Sequence, residues 1–150
     1  MSTSTLYKLV SDTIQILYID INNLYGWALS QYLPCGGFEW ILEDSALTNA
    51  LNDIYVMRDD EVLLSKFGYV FEVDLTTPPH LHDKFEQLPP APVIQAPPNS
   101  TVNKLLLTHE AKTHYICHFS LLNNYIKLGI QVNKIHRAIK FAQKLSLLNI

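Results

Sequence analysis

Apolar positions along this 150-residue chain change period several times, and each change predicts an element. Ile14, Ile16, Leu17, Tyr18 and Ile19 form a β-branched and aromatic run that predicts a buried strand over 14–20, closed by Asp20. Leu24, Trp27, Ala28 and Leu29 then fall on one side of a short helix near 23–31, with Asn22 or Asn23 as its cap. Pro34 to Gly37 predicts a turn, and Leu47, Leu51 and Ile54 mark a helix around 44–54. A strand is expected over 68–75. Seven of the eight prolines follow within 78–98, a segment expected to hold no regular structure. Tyr115-Ile116-Cys117-His118 predicts a short strand, and Leu121, Leu122, Tyr125, Ile126 and Leu128 the apolar stripe of a helix stopped by Gly129. A last strand over 131–141 alternates Val132, Lys134, His136, Ala138 and Lys140 with Gln131, Asn133, Ile135, Arg137, Ile139 and Phe141, which predicts one largely apolar and one basic face. Strands and helices in this order predict an α+β fold, with helices on one face of a mainly antiparallel sheet.

Composition is that of a folded domain: 48% hydrophobic and 17% charged residues, in one unit expected to span residues 1–150. No apolar run approaches the ~20 residues of a membrane span, and the first residues lack a signal-peptide pattern, so nucleus or cytoplasm is expected and no membrane partner. Cys35 and Cys117 lie far apart without ligand spacing, which argues against a disulfide framework or a thiolate zinc site and predicts buried or neutral thiols. The net charge of −3 conceals a split. Residues 1–100 carry 4 basic against 13 acidic side chains, and residues 101–150 carry 7 against 1. Lys127, Lys134, Arg137, Lys140 and Lys144 are therefore candidates to face phosphates, or to pair with the acidic first part of the fold.

Asp20 carries the sharpest chemical signal. A lone carboxylate at the end of an apolar strand, followed by a turn with exposed backbone N–H groups, suits a metal-bound triphosphate; the plain alternative is a helix-capping aspartate. Glu72 and Asp74 share one strand face and could share a cation, although that role is not expected. His80, His82 with Asp83, and His114 with His118 match no standard ligand spacing and read as ordinary polar residues. His136 could touch a phosphate or be a half-buried strand histidine.

The stretch Asp-x-Asn-Asn-Leu-Tyr-Gly-Trp-Ala over 20–28, continued by Ser30-Gln31, Leu33-Pro34 and Gly36-Gly37-Phe38-x-Trp40, resembles the first catalytic motif of protein-primed family B DNA polymerases of the Maverick/Polinton and virus type. Gly68 to Leu75, Leu81-His82-Asp83, His114-Tyr115-x-x-His118, Leu128-Gly129 and Lys134 to Phe141 with Gln143 resemble, in order, the segment that follows that motif. The resemblance implies an incomplete polymerase palm: the metal-Asp motif over 14–31, a Pro-rich connection over 78–98, and a basic strand-helix-strand over 113–141. It implies Asp20 as catalytic ligand to Mg²⁺ or Mn²⁺. The Ile21 backbone, with Asn22, Asn23, Leu24 and Tyr25, would surround the nucleotide, Tyr25 packing under the sugar to exclude a 2′-hydroxyl. Lys134, His136, Arg137 and Lys140 are the nucleic-acid candidates. The partners implied are a DNA primer-template, deoxynucleoside triphosphates and a terminal protein primer.

Departures from the family accompany these matches. The second carboxylate motif, Tyr-x-Asp-Thr-Asp, and the Lys-bearing helix with Asn-x-x-Tyr-Gly do not occur in these 150 residues, and Phe119-Ser120 stands where relatives have Arg-Asn. The expectation is a polymerase segment inactive by itself, with a non-catalytic DNA- or protein-binding remnant as the alternative. A third alternative is an α+β fragment without function, whose truncated sheet would leave an open strand edge after Phe141.

Overall fold

Alternation in β2 (Phe67–Thr76) buries Tyr69, Phe71, Val73 and Leu75 on one face and leaves Val70, Glu72, Asp74 and Thr76 half-buried on the other. The computed structural model describes residues 22–145, so the strand expected over 14–20 lies outside the described residues. Element order is α1 (Leu24–Leu29), β1 (Tyr32–Ile41), α2 (Asp44–Val56), α3 (Asp59–Leu64), β2, a 3₁₀ turn at Pro79–Leu81, β3 (Val93–Gln95), β4 (Lys104–Leu106), β5 (Lys112–His118), α4 (Phe119–Leu128) and β6 (Gln131–Leu145). Four strands form a wholly antiparallel sheet in the order β1-β6-β2-β5, and β3 and β4 pair in a small second sheet. The fold is α+β.

The core lies between this sheet and helices α2 and α4. Leu47, Ala50 and Ile54 of α2 and Phe119, Leu122 and Tyr125 of α4 meet Phe71, Val73, Leu75, Cys117 and Ala138 of the sheet. Asn123 is buried among them because its Nδ2 donates to the carbonyls of Ile54 (2.7 Å) and Met57 (3.3 Å), closing the end of α2. His118 caps α4, its Nδ1 accepting from the Ser120 N–H, and Gly129 ends that helix at φ +96°.

Several expectations are corrected. Pro34 to Gly37 is not a separate turn but part of β1, an edge strand where a proline costs no internal ladder bond; Gly36 and Gly37, both at positive φ, absorb register shifts against β6. The Pro-rich 78–98 segment does hold regular structure, the 3₁₀ turn and β3. Strict alternation fails in β6, which slips register against β2 twice, so that Val132, Ile135 and Ala138 all reach the core. Phe141 leaves no open edge: β6 is paired on both sides through that residue's neighbourhood, and the edges of the sheet are β1 and β5. Of the two free cysteines, Cys117 is buried and Cys35 is exposed.

Candidate functional site

Two regions carry chemistry. In the first, Asn23 takes a left-handed conformation (φ 58°) and its carbonyl accepts from Trp27 N–H at 3.0 Å, which opens α1 immediately after the Asn22 turn. Tyr25 stands in the first turn of α1 with 88% of its surface exposed, and Leu24 and Trp27 beside it are also exposed. The tyrosine is thus not a core residue. Asp20 and Ile21 lie outside the described residues, and Asn22 is exposed at the start of them.

The second region is on the sheet face away from the helices. Glu72 and Asp74 point outward from β2, and register slips in both neighbouring strands bring histidines over them. In β6 the slip falls between Arg137 and Ile135, at His136; in β5 it falls between Tyr115 and Lys112, beside His114, whose φ of 53° is left-handed. Bulges re-aim side chains in this way. His114 Nδ1 lies 2.7 Å from Glu72 Oε1, its backbone N–H donates to Asp74 Oδ1 at 2.9 Å, and His136 Nε2 lies 2.8 Å from the same Asp74 oxygen. The two imidazoles stack at 3.9 Å between centroids, 23° from parallel. Arg137 Nε donates to Glu72 Oε2 while its guanidinium covers the Trp40 ring at 5.1 Å.

These bonds set the electrostatics. Hydrogen bonds from Arg137 and then His114 hold the Glu72 carboxyl below its usual range, and the His114 backbone N–H followed by His136 does the same for Asp74. Burial lowers the basicity of His118 and Lys112 and pushes the Cys117 thiol up to about 11, which leaves that thiol protonated and unreactive at neutral pH.

Next to this cluster the face is apolar. Trp40 and Ile116, 55% and 66% exposed, flank a shallow slot of about 90 Å³ floored by Val70, Phe71 and Ile139 and closed by Glu72 and Arg137, with exposed Phe38 alongside. Among the described residues no group of three or more His, Cys, Asp or Glu side chains is placed to hold a metal ion.

Of the four nucleic-acid candidates, His136 and Arg137 are thus engaged with carboxylates. Lys140 Nζ sits over the Phe67 ring at 4.6 Å, and Lys134 is exposed opposite Asp74 in the ladder. Sequence reasoning considered Glu72 with Asp74 and the histidines separately and missed their meeting. The i, i+2 carboxylates were the available signal, but neither bulge is visible in the residue pattern. Comparison with protein-family models, with curated proteins and with solved structures finds no match to this chain.

Proposed function

We propose that the chain is a segment of the palm of a DNA-directed DNA polymerase of the protein-primed family B type. Asp20 serves as one ligand of the catalytic cations, and Tyr25 senses the sugar of the incoming nucleotide. Mg²⁺ or Mn²⁺, when bound, supplies the charge that stabilises the transferring phosphoryl group. The chain's own residues place the nucleotide: the Asn22–Asn23 turn that opens α1 lies beside it, and Tyr25 offers a rigid ring against which a 2′-hydroxyl would clash.

The observation that carries this reading is the position of Tyr25. It stands in the first turn of α1 with 88% of its surface exposed, where a ligand can reach its ring. The ordered residue resemblance over roughly 14–143 and an α+β layer with helices on one face support the same reading.

Primer extension by the native gene product tests the sugar-sensing role. Tyr25→Val is expected to raise ribonucleotide incorporation relative to deoxynucleotide by about tenfold or more, a typical size for one steric contact. Unchanged sugar selectivity would count against the role. These 150 residues by themselves, which hold one carboxylate motif, are expected to extend no primer.

A second reading draws on the exposed sheet face. Phe38, Trp40 and Ile116 are exposed apolar side chains, the kind of feature a binding surface presents. Salt separates its two forms. DNA binding through several phosphates weakens steeply as salt rises, whereas protein binding through apolar contacts does not.

A further inference from the structure

Phe67 opens β2 on the same face as Tyr69 and Phe71, one step beyond the core, and half of its surface is exposed. Ala142 stands opposite it in β6. Tyr32, Lys66, Phe67 and residues 142–145 of β6 line a groove of about 460 Å³. Buried Gln143 holds its walls together: its backbone N–H donates to the Lys66 carbonyl at 2.8 Å, and its Nε2 donates to the Ser65 carbonyl at 3.0 Å.

Charge at this groove has one sign. Lys66 and Lys144 line it and are exposed, and Lys140 Nζ lies over the Phe67 ring at 4.6 Å. Among the described residues none of the three lysines is in an ion pair, and no carboxylate lines the groove. Glu39, opposite Lys140 in the β1–β6 ladder, is exposed and outside the lining.

Cations alone suit any polyanion, through release of its counterions. The rings of Phe67 and Tyr32 narrow the class. An aromatic face beside a cationic track takes an unpaired base, whose flat surface a duplex keeps inside its own stack. The volume falls within the roughly 300–1,000 Å³ of small-ligand sites, enough for one such base.

We propose that this groove is a subsite for single-stranded nucleic acid, in which one base lies against Phe67 and Tyr32 while the flanking phosphates meet Lys66, Lys140 and Lys144. Of the residues in the polymerase reading it uses only Lys140, and it requires no polymerase activity.

Binding of a fluorescent oligodeoxythymidylate of about 12 nucleotides to the chain, followed by anisotropy over a salt series, tests it. Three phosphate contacts predict a slope of log K against log salt of about −2, at about 0.7 per phosphate of a single strand. Phe67→Ala should weaken binding about fivefold or more, the size of one base–aromatic stack, with the slope unchanged. Replacing Lys66 and Lys144 together by Ala should reduce the slope to about −0.7. In the unmodified chain, the NMR ring signals of Phe67 and Tyr32 should shift as the oligonucleotide is added, a readout that needs no variant to fold. Ring signals that stay in place, equal binding by Phe67→Ala, or inorganic polyphosphate or a duplex of the same length bound as tightly as the single strand would each overturn the subsite. Loss of binding in Lys134→Ala but not in the groove variants would do the same, placing the contact on the other sheet face. Primer extension enters none of these readouts, so failure of the polymerase reading leaves the outcome unaffected.

Discussion

Single residues in this chain matter through the bonds they close, and Asn123 is the clearest case. It is a polar side chain at the centre of the core, tolerated because it satisfies two carbonyls at the end of α2. Asn123→Leu removes the donor to both carbonyls, leaving that of Ile54 with only the 3.3 Å bond from the Met57 N–H, and the expected loss is about 1–3 kcal/mol in a urea unfolding series. His118 gives a pH signature. Burial lowers its basicity in the folded state, so the unfolded chain binds its proton more tightly. Stability from this group is present above the ordinary histidine range and falls as pH drops through it, with loss of the Nδ1 acceptor that caps α4. His118→Asn, which keeps a capping oxygen and cannot titrate, is expected to flatten the urea midpoint between about pH 7 and pH 5. Glu72 and Asp74 act lower on the scale. Their carboxyls bind protons more weakly when folded, so their stabilisation is complete above about pH 4.5 and drains as pH falls further. Glu72→Gln should remove part of that acid limb.

At the scale of elements, periodicity was informative wherever one face met the core without interruption. The helix expected at 44–54, the strand at 68–75 and the helix stopped at Gly129 all appear, extended by a residue or more at their ends. Legibility ended where the ladder slips. In β6 the bulges at His136 and Asn133 change which residues face inward, so counting by twos from Val132 misassigns Ile135. Composition misled in β1, where Pro34, Gly36 and Gly37 read as a turn although an edge strand accommodates them. The charged cluster was hidden for the same reason, since it exists only because two bulges turn His114 and His136 toward Glu72 and Asp74. Gly129 illustrates an end signal that was readable: at φ +96° a side chain is strained, and a Cβ would also meet Leu81 Cδ1 at 2.9 Å. Gly129→Ala should therefore cost about 1 kcal/mol or more, measured by thermal or urea unfolding.

For the whole molecule, the division of labour between the two sheet faces connects fold to function. One face is covered by α2 and α4 and holds the core; the other carries an apolar slot and a charged cluster. No helix among the described residues is long and apolar enough to cross a membrane. The α+β layer was legible from the order of strands and helices, whereas the open face was not, because residue patterns show alternation without showing what lies above each side. The proposed role of Asp20 is in nucleotidyl transfer. Its most direct test is the rate of Mg²⁺-dependent deoxynucleotide incorporation by the native gene product on a primer-template, compared with Asp20→Asn. Loss of about 10²–10³ or more is predicted, as for removal of one preorganised electrostatic partner in a reacting site; incorporation that is absent from the native product, or equal in the two proteins, would contradict it.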